Sequence, residues 1–168
     1  SIKRLLAYSS IANVGFALVG LSAGTEEGVW SVLVYLGIYV VMTLGAFACV
    51  IAMRRESGPV ENIDDLAGLN ETHLGMAAAF AIFMFSLAGI PPLAGFFAKL
   101  YVLKAAMDAG LYPLAIVGVL PSVVGAYFYL RVIKVMFFDA AKEPLLPVER
   151  SVGIVMALSA AMVVLYVV

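Results

Sequence analysis

Polar residues are scarce along this chain and fall in clusters, and the apolar runs between the clusters set its elements. A run of about 20 apolar residues is long enough to cross the roughly 30 Å hydrocarbon core of a bilayer as a helix. Five such runs are predicted. The first covers Leu5 to Ala23 and leaves through Gly24-Thr25-Glu26-Glu27-Gly28. The second covers Val29 to Met53 and is closed by Arg54-Arg55. An acid-rich linker continues to Glu71. The third run, Leu74 to Met107, is too long for one straight span, since at about 1.5 Å per residue it would measure roughly 50 Å. Gly89-Ile90-Pro91-Pro92 supplies a break, because proline removes a backbone donor and collides with the preceding turn. The third element is therefore predicted as two half-helices separated by a break near 89–95. The fourth run is Leu111 to Phe138, with Pro121 as a candidate kink. Asp139 to Pro147 reads as a loop, and Val148 to Val168 as the fifth span.

Composition agrees with that pattern. Of 168 residues, 64% are hydrophobic and 12% charged, against roughly 45–50% and about 25% in soluble domains. The expected fold is all-α, a polytopic transmembrane bundle with one broken helix. The formal net charge of −1 gives no basic surface for nucleic acid. A single cysteine, Cys49, and a single histidine, His73, exclude a thiolate or imidazole metal cluster and argue against haem or iron–sulfur ligation. A Gly-rich phosphate loop and a nucleophile–base set are both missing from the sequence. The chain opens at Ser1 without an initiator methionine or a signal-peptide pattern, so it is expected to be the interior of a longer polypeptide.

Charge then orients the spans. If the Lys3 end defines one side, alternation puts Lys3, Arg4, Arg54, Arg55, Arg131, Lys134, Lys142 and Arg150 there, eight of the ten Lys and Arg residues. The other side has Glu26, Glu27 and Asp108, with Lys104 near it. Positive charge concentrates on the cytoplasmic side of membrane proteins, so the Lys3 side is expected to be cytoplasmic.

Candidate chemistry begins with Lys99. It follows the break inside an apolar stretch, where a charge costs several kcal/mol and is usually functional. A broken helix at membrane depth is tolerated only inside protein or beside water. Together they mark a candidate ion or proton path, with Gly89, Pro91, Pro92 and Gly95 as the break and Lys99 as a proton relay. The competing reading is a structural lysine bonded to unwound carbonyls. Lys104 either snorkels to the interface or serves as an exit station of the same path. Ser10 and Asn13, with Tyr8, Ser9 and Ser22, polarise the first helix, either as helix–helix contacts or as the lining of a hydrated path. Tyr35, Tyr39 and Thr43 share one face of the second helix at i, i+4, i+8, as channel lining or as packing. His73 reads as an interfacial or capping group. Tyr127 and Tyr129 lie near the end of the fourth helix, where Arg131 and Lys134 suit lipid headgroups or a cytoplasmic partner.

Two stretches resemble a known family. These are Lys3-Arg4-Leu5-Leu6-Ala7-Tyr8-Ser9-Ser10-Ile11 and Ser86-Leu87-Ala88-Gly89-Ile90-Pro91-Pro92-Leu93-Ala94-Gly95-Phe96-Phe97-Ala98-Lys99. Both are similar to the antiporter-like subunits of respiratory complex I, the proton-pumping NADH:quinone oxidoreductase. The likeness runs the length of the chain. Lys99-Leu100-Tyr101-Val102-Leu103 looks like the N type, and Asp64-Asp65-Leu66-Ala67-Gly68-Leu69 also fits. The resemblance implies a fourteen-helix fold with two inverted five-helix repeats, of which this chain would be the last five helices. It implies that Lys99 ends a hydrophilic axis whose glutamate–lysine pair and central lysine lie upstream, and that Lys99 passes protons away from the Lys3 side. It implies no cofactor in this chain, with NADH, FMN, iron–sulfur clusters and quinone in other subunits. The implied partners are other membrane subunits, the missing N-terminal part and lipid. The implied place is a bacterial plasma membrane or the mitochondrial inner membrane, with the Lys3 side cytoplasmic or matrix. One departure is Asn13, where family members often carry histidine. Two other functions fit the same residues, namely a subunit of a cation/proton antiporter or membrane hydrogenase and a non-pumping scaffold.

Overall fold

The computed structural model describes residues 1–55, 58–142 and 144–166. In chain order the elements are α1 (Ile2–Ser22), α2 (Glu26–Ala52), β1 (Arg54–Arg55), β2 (Gly58–Pro59), a 3₁₀ turn (Ile63–Leu66), α3 (Leu69–Thr72), α4 (Leu74–Ala88), α5 (Ala94–Asp108), α6 (Tyr112–Phe138) and α7 (Arg150–Leu165). Among the described residues, helices thus cover all five predicted runs, the third being divided into α4 and α5. Helices α1, α2 and α6 are each long and apolar enough to cross a bilayer alone. The predicted end of the last span at Val168 lies outside the described residues.

Local sequence explains the helix starts. Ser1 caps α1 by accepting from the Arg4 amide at 3.4 Å. Thr25 caps α2 by accepting from the Gly28 amide at 3.0 Å, and Glu26 and Glu27 occupy the first turn. A side-chain oxygen there satisfies an orphan amide, and acidic residues suit the positive end of the helix dipole. Pro113 near the start of α6 loses nothing, since first-turn amides have no intrahelical partner. Pro121, by contrast, sits inside α6, and the helix continues through it.

Helix α2 is the centre of the bundle, touching α1, α4, α5 and α7. Its inner face is Tyr35, Ile38, Met42, Ala46, Cys49 and Val50. Its outer face is equally apolar, with Val29, Leu33, Val40, Leu44 and Ile51 exposed. Helix α6 likewise exposes Ile116, Val117, Leu120, Val123 and Val124. A helix that is hydrophobic all round belongs in a membrane, where a lipid-facing leucine carries no penalty. Against α4 the α2 backbone comes very close, since a Cβ on Gly45 would overlap the Phe83 ring.

The helix ends sort into two groups, as the charge pattern requires. At the end holding Lys3, the Ile2 amide donates to the Glu61 carbonyl at 2.9 Å and the Leu146 amide to the Arg54 carbonyl at 2.6 Å. Arg55 donates to the Asp65 carbonyl at 2.6 Å. Lys142 stands 3.8 Å from Asp65, and Lys134 stands 3.7 Å from Asp139. The described parts of the linker and of the loop after α6 therefore close one end of the bundle together. At the opposite end, Glu26 and Glu27 share a cleft with Lys104.

Candidate functional site

The break between α4 and α5 is built from three local features. Gly89 ends α4 at φ +83°, in the left-handed region, where glycine carries no Cβ penalty. A Cβ at Gly89 would also come within 3.4 Å of Lys99 Cδ. Pro91 and Pro92, joined by a cis bond, cannot continue the ladder. The non-helical stretch is 89–93, shorter than the expected 89–95. Gly95 is the correction, because it lies inside the first turn of α5 rather than in the break. Its role is close approach. A Cβ there would overlap the Ser86 carbonyl, and the Gly95 amide donates to Ser86 Oγ at 2.9 Å. Ser86 in turn reaches Met42 Sδ on α2 at 2.8 Å. One serine thereby ties both half-helices to the central helix.

Lys99 is the sixth residue of α5, about a turn and a half past the break. It is half-buried and its side chain turns back toward the break. Nζ donates to the Leu87 carbonyl at 2.9 Å and to Ser122 Oγ of α6 at 2.8 Å. The Leu87 carbonyl is open to it because the last four carbonyls of a helix lack intrahelical donors. Nζ also lies 5.4 Å from the centroid of the Phe16 ring of α1, within cation–π range. Lys99 and Ser122 line a cavity of about 280 Å³ together with Phe16 and Gly89. The ammonium is thus held by a carbonyl, a hydroxyl and a ring face, without an acidic partner among the described residues.

A second polar group lies where α1, α2 and α6 meet. Asn13 donates to the Ser9 carbonyl at 2.7 Å and to Ser9 Oγ at 3.1 Å. Tyr35 donates to Asn13 Oδ1, and Tyr129 donates to Ser9 Oγ. Tyr39 donates to Ser10 Oγ at 2.7 Å, and Ser10 donates to the Leu6 carbonyl at 3.0 Å. Ser9, Asn13 and Tyr35 are buried. Thr43 joins Ser9, Ser10, Tyr39 and Leu87 around a cavity of about 10 Å³, near the smallest space that holds one water. The residues expected to line a channel therefore gather in one place, but they bond mostly to one another. Leu87 is shared between this small cavity and the Lys99 contact.

A family model described as NADH:quinone oxidoreductase/Mrp antiporter, transmembrane, matches residues 1–125. The chain belongs to this family. It is 63% identical over 144 residues to NADH-quinone oxidoreductase subunit N of Parvibaculum lavamentivorans, covering 86% of this chain and 30% of that protein. It is 57% identical over 166 residues to the subunit of the same name from Methylobacterium nodulans, covering 99% of this chain and 34% of that one. A solved chain of respiratory complex I from Thermus thermophilus with bound Aureothin superposes with a TM-score of 0.82. It is 31% identical and covers 96% of this chain and 36% of its own. A chain of the Mrp complex from Dietzia sp. shares the fold with a TM-score of 0.76 at 22% identity, over 94% of this chain and 38% of its own. The chain spans about a third of the length of the curated relatives it matches. The resemblance to antiporter-like N-type subunits and the all-helical broken-helix bundle are both borne out by these matches.

The remaining candidates of this antiporter-family chain lie at its two ends. Lys104 is exposed and donates to Asp108 at 2.7 Å, one turn on. It lines a cleft with Glu26, Glu27, Trp30 and Tyr101, which shares no lining residue with the Lys99 cavity. His73 stands at the start of α4, where Nε2 accepts from the Leu145 amide at 3.0 Å, so it ties Leu145 to that helix end. Tyr127 is exposed on α6. Three participants were not foreseen from sequence, namely Ser122, Ser86 and the Phe16 ring. A lone serine in an apolar helix carries no periodic signal. Ser122 follows a mid-helix proline, which is the one local hint.

Proposed function

We propose that this chain forms the C-terminal part of a membrane subunit of a proton-translocating NADH:quinone oxidoreductase, with Lys99 as a buried proton relay. The observation that carries the reading is the Lys99 ammonium, drawn back onto the Leu87 carbonyl of a broken helix and held by Ser122 without an acid. A lysine that only needed solvent would extend outward, as Lys104 does. Here the side chain is bonded to groups that leave it free to change protonation. The names of the relatives supply the enzyme, NADH-quinone oxidoreductase. The redox groups, NADH, FMN, iron–sulfur clusters and quinone, belong to other subunits in this reading. Protons reach Lys99 from the N-terminal part of the same subunit and leave on the side opposite Lys3. The Lys3 side, with eight of the ten cations, is the cytoplasmic or matrix side.

The test is proton uptake per NADH oxidised in vesicles carrying the assembled complex. Lys99→Ala is expected to assemble and to lose most of its pumping, while electron input to artificial acceptors upstream survives. Lys99→Arg is expected to fail as well, because a guanidinium does not give up its proton. Normal pumping by both variants would leave the scaffold reading in place instead. The same fold in an Mrp complex keeps a cation/proton antiporter as the rival, and sodium flux in place of quinone-linked pumping would select it.

A further inference from the structure

A relay lysine passes through two states with different hydrogen-bonding needs. The ammonium has three donors and no acceptor, whereas the neutral amine has a lone pair that seeks a donor. Of its two hydrogen-bond partners among the described residues, the Leu87 carbonyl can only accept. The Ser122 hydroxyl can accept from the ammonium and, by turning its O–H, donate to the amine. Three other helix serines have their proton committed to a backbone carbonyl. Ser10 donates to the Leu6 carbonyl at 3.0 Å, Ser22 to the Leu18 carbonyl at 2.7 Å and Ser31 to the Gly28 carbonyl at 2.7 Å. Ser122 instead accepts, from Lys99 at 2.8 Å. Its neighbour Pro121 lacks an amide, so α6 is locally short of one ladder bond. Leu87 and Ser122 belong to different helices, α4 and α6, so the pair fixes Nζ between two elements rather than along one.

We propose that Ser122 is the positioning residue of the relay, the group that keeps Lys99 Nζ at the break in both of its protonation states. The inference rests on the relay reading of Lys99. It requires a hydroxyl at position 122 and not merely a side chain of the right size.

Threonine and valine at 122 have nearly the same shape and differ in the hydroxyl, which makes them the deciding pair. In the assembled complex, with assembly measured alongside, Ser122→Thr is expected to keep pumping within about twofold of the parent. Ser122→Val is expected to lower it on the order of tenfold, the rate equivalent of one lost hydrogen bond. Ser122→Ala, which only removes the oxygen, is expected to match valine and stands in for it if valine disturbs packing. Equal pumping by the threonine and valine variants, whether normal or impaired, would overturn the proposal. A dead Lys99→Ala beside a normal Ser122→Ala would remove the positioning role alone. A normal Lys99→Ala would remove the relay reading first.

Discussion

Lys99 and Lys104 stand five residues apart on the same helix and share neither surroundings nor partners. Lys104 points into an open cleft and pairs with Asp108, its neighbour one turn on. Such exposed i,i+4 pairs add little to stability and weaken in salt. Lys99 turns the other way, back to a break in the backbone, and its partners come from twelve residues before it and twenty-three residues after it. The difference lies in what the fold spends to hold each charge. Lys104 needs only its own helix. Lys99 needs the α4 terminus, the Gly89 and proline break, and α6, so three elements must be in register before its amine has a place. The same chemical group is a surface counter-ion in one position and the focus of the bundle in the other.

The setting of Lys99 can be disrupted without touching either lysine. Gly95→Ala puts a methyl group into the Ser86 carbonyl, and backbone atoms cannot turn aside as a side chain can. Forcing extra volume into a packed site costs on the order of 1–3 kcal/mol or more, and here it also threatens the Gly95–Ser86 hydrogen bond. The expected outcome is the largest of the series, a sharp fall in assembled complex with pumping lost in proportion. Quantifying the subunit in purified membranes checks it. Full assembly with normal pumping would mean that α4 and α5 are not held together through this contact.

Removing the Lys99 charge sharpens the contrast from the other side. Lys99→Met keeps the apolar stem and deletes the ammonium. A charge at the helix centre costs about 2.5–3.5 kcal/mol on insertion scales, so the variant is expected to insert and assemble at least as well as the parent while losing pumping. Thermal unfolding of the purified complex, read together with proton uptake, separates the two effects. A Lys99→Met complex that fails to assemble would show the lysine to be structural, holding the broken helix through Leu87 and Ser122.

How much of this was legible in the sequence follows from the range of each interaction. The spans, the break and the placement of Lys99 rest on local rules. Apolar run length, the helix-breaking of Pro91-Pro92 and the glycine at a left-handed C-cap all act within a few residues. The sorting of cations to one end was legible because alternation of spans is a simple count. Glycine signals both flexibility and close approach, so the sequence alone puts Gly95 in the break, and only the position of Ser86 decides between the two. Ser122 and Phe16 depend on how α1 and α6 are rotated against α5. Nearly uniform apolar helices do not encode that rotation in their pattern, since each face is as hydrophobic as the next. The hydroxyl cluster was half legible. Helical spacing puts Tyr35, Tyr39 and Thr43 on one face, but the bonds of Tyr35 to Asn13 and of Tyr39 to Ser10 depend on the α1–α2 interface. Tyr129, from α6, completes that cluster by donating to Ser9 across 120 residues of chain.

The smallest expected effect belongs to Lys104. Lys104→Ala deletes an exposed ammonium and frees Asp108, which is also exposed and can be hydrated without a partner. The cleft it lines keeps Glu26, Glu27, Trp30 and Tyr101. Proton uptake per NADH is expected to stay within about twofold of the parent, because an exposed pair of this kind contributes little and Lys104 does not line the Lys99 cavity. Raising the salt concentration should shrink even that difference, since exposed charges are screened over roughly 10 Å at about 0.1 M. Pumping that falls as far in Lys104→Ala as in Lys99→Ala, with assembly intact, would make the two lysines stations of one path. It would also mean that the exit runs through the Glu26–Lys104 cleft, and the contrast between a buried working amine and a surface counter-ion would have to be given up.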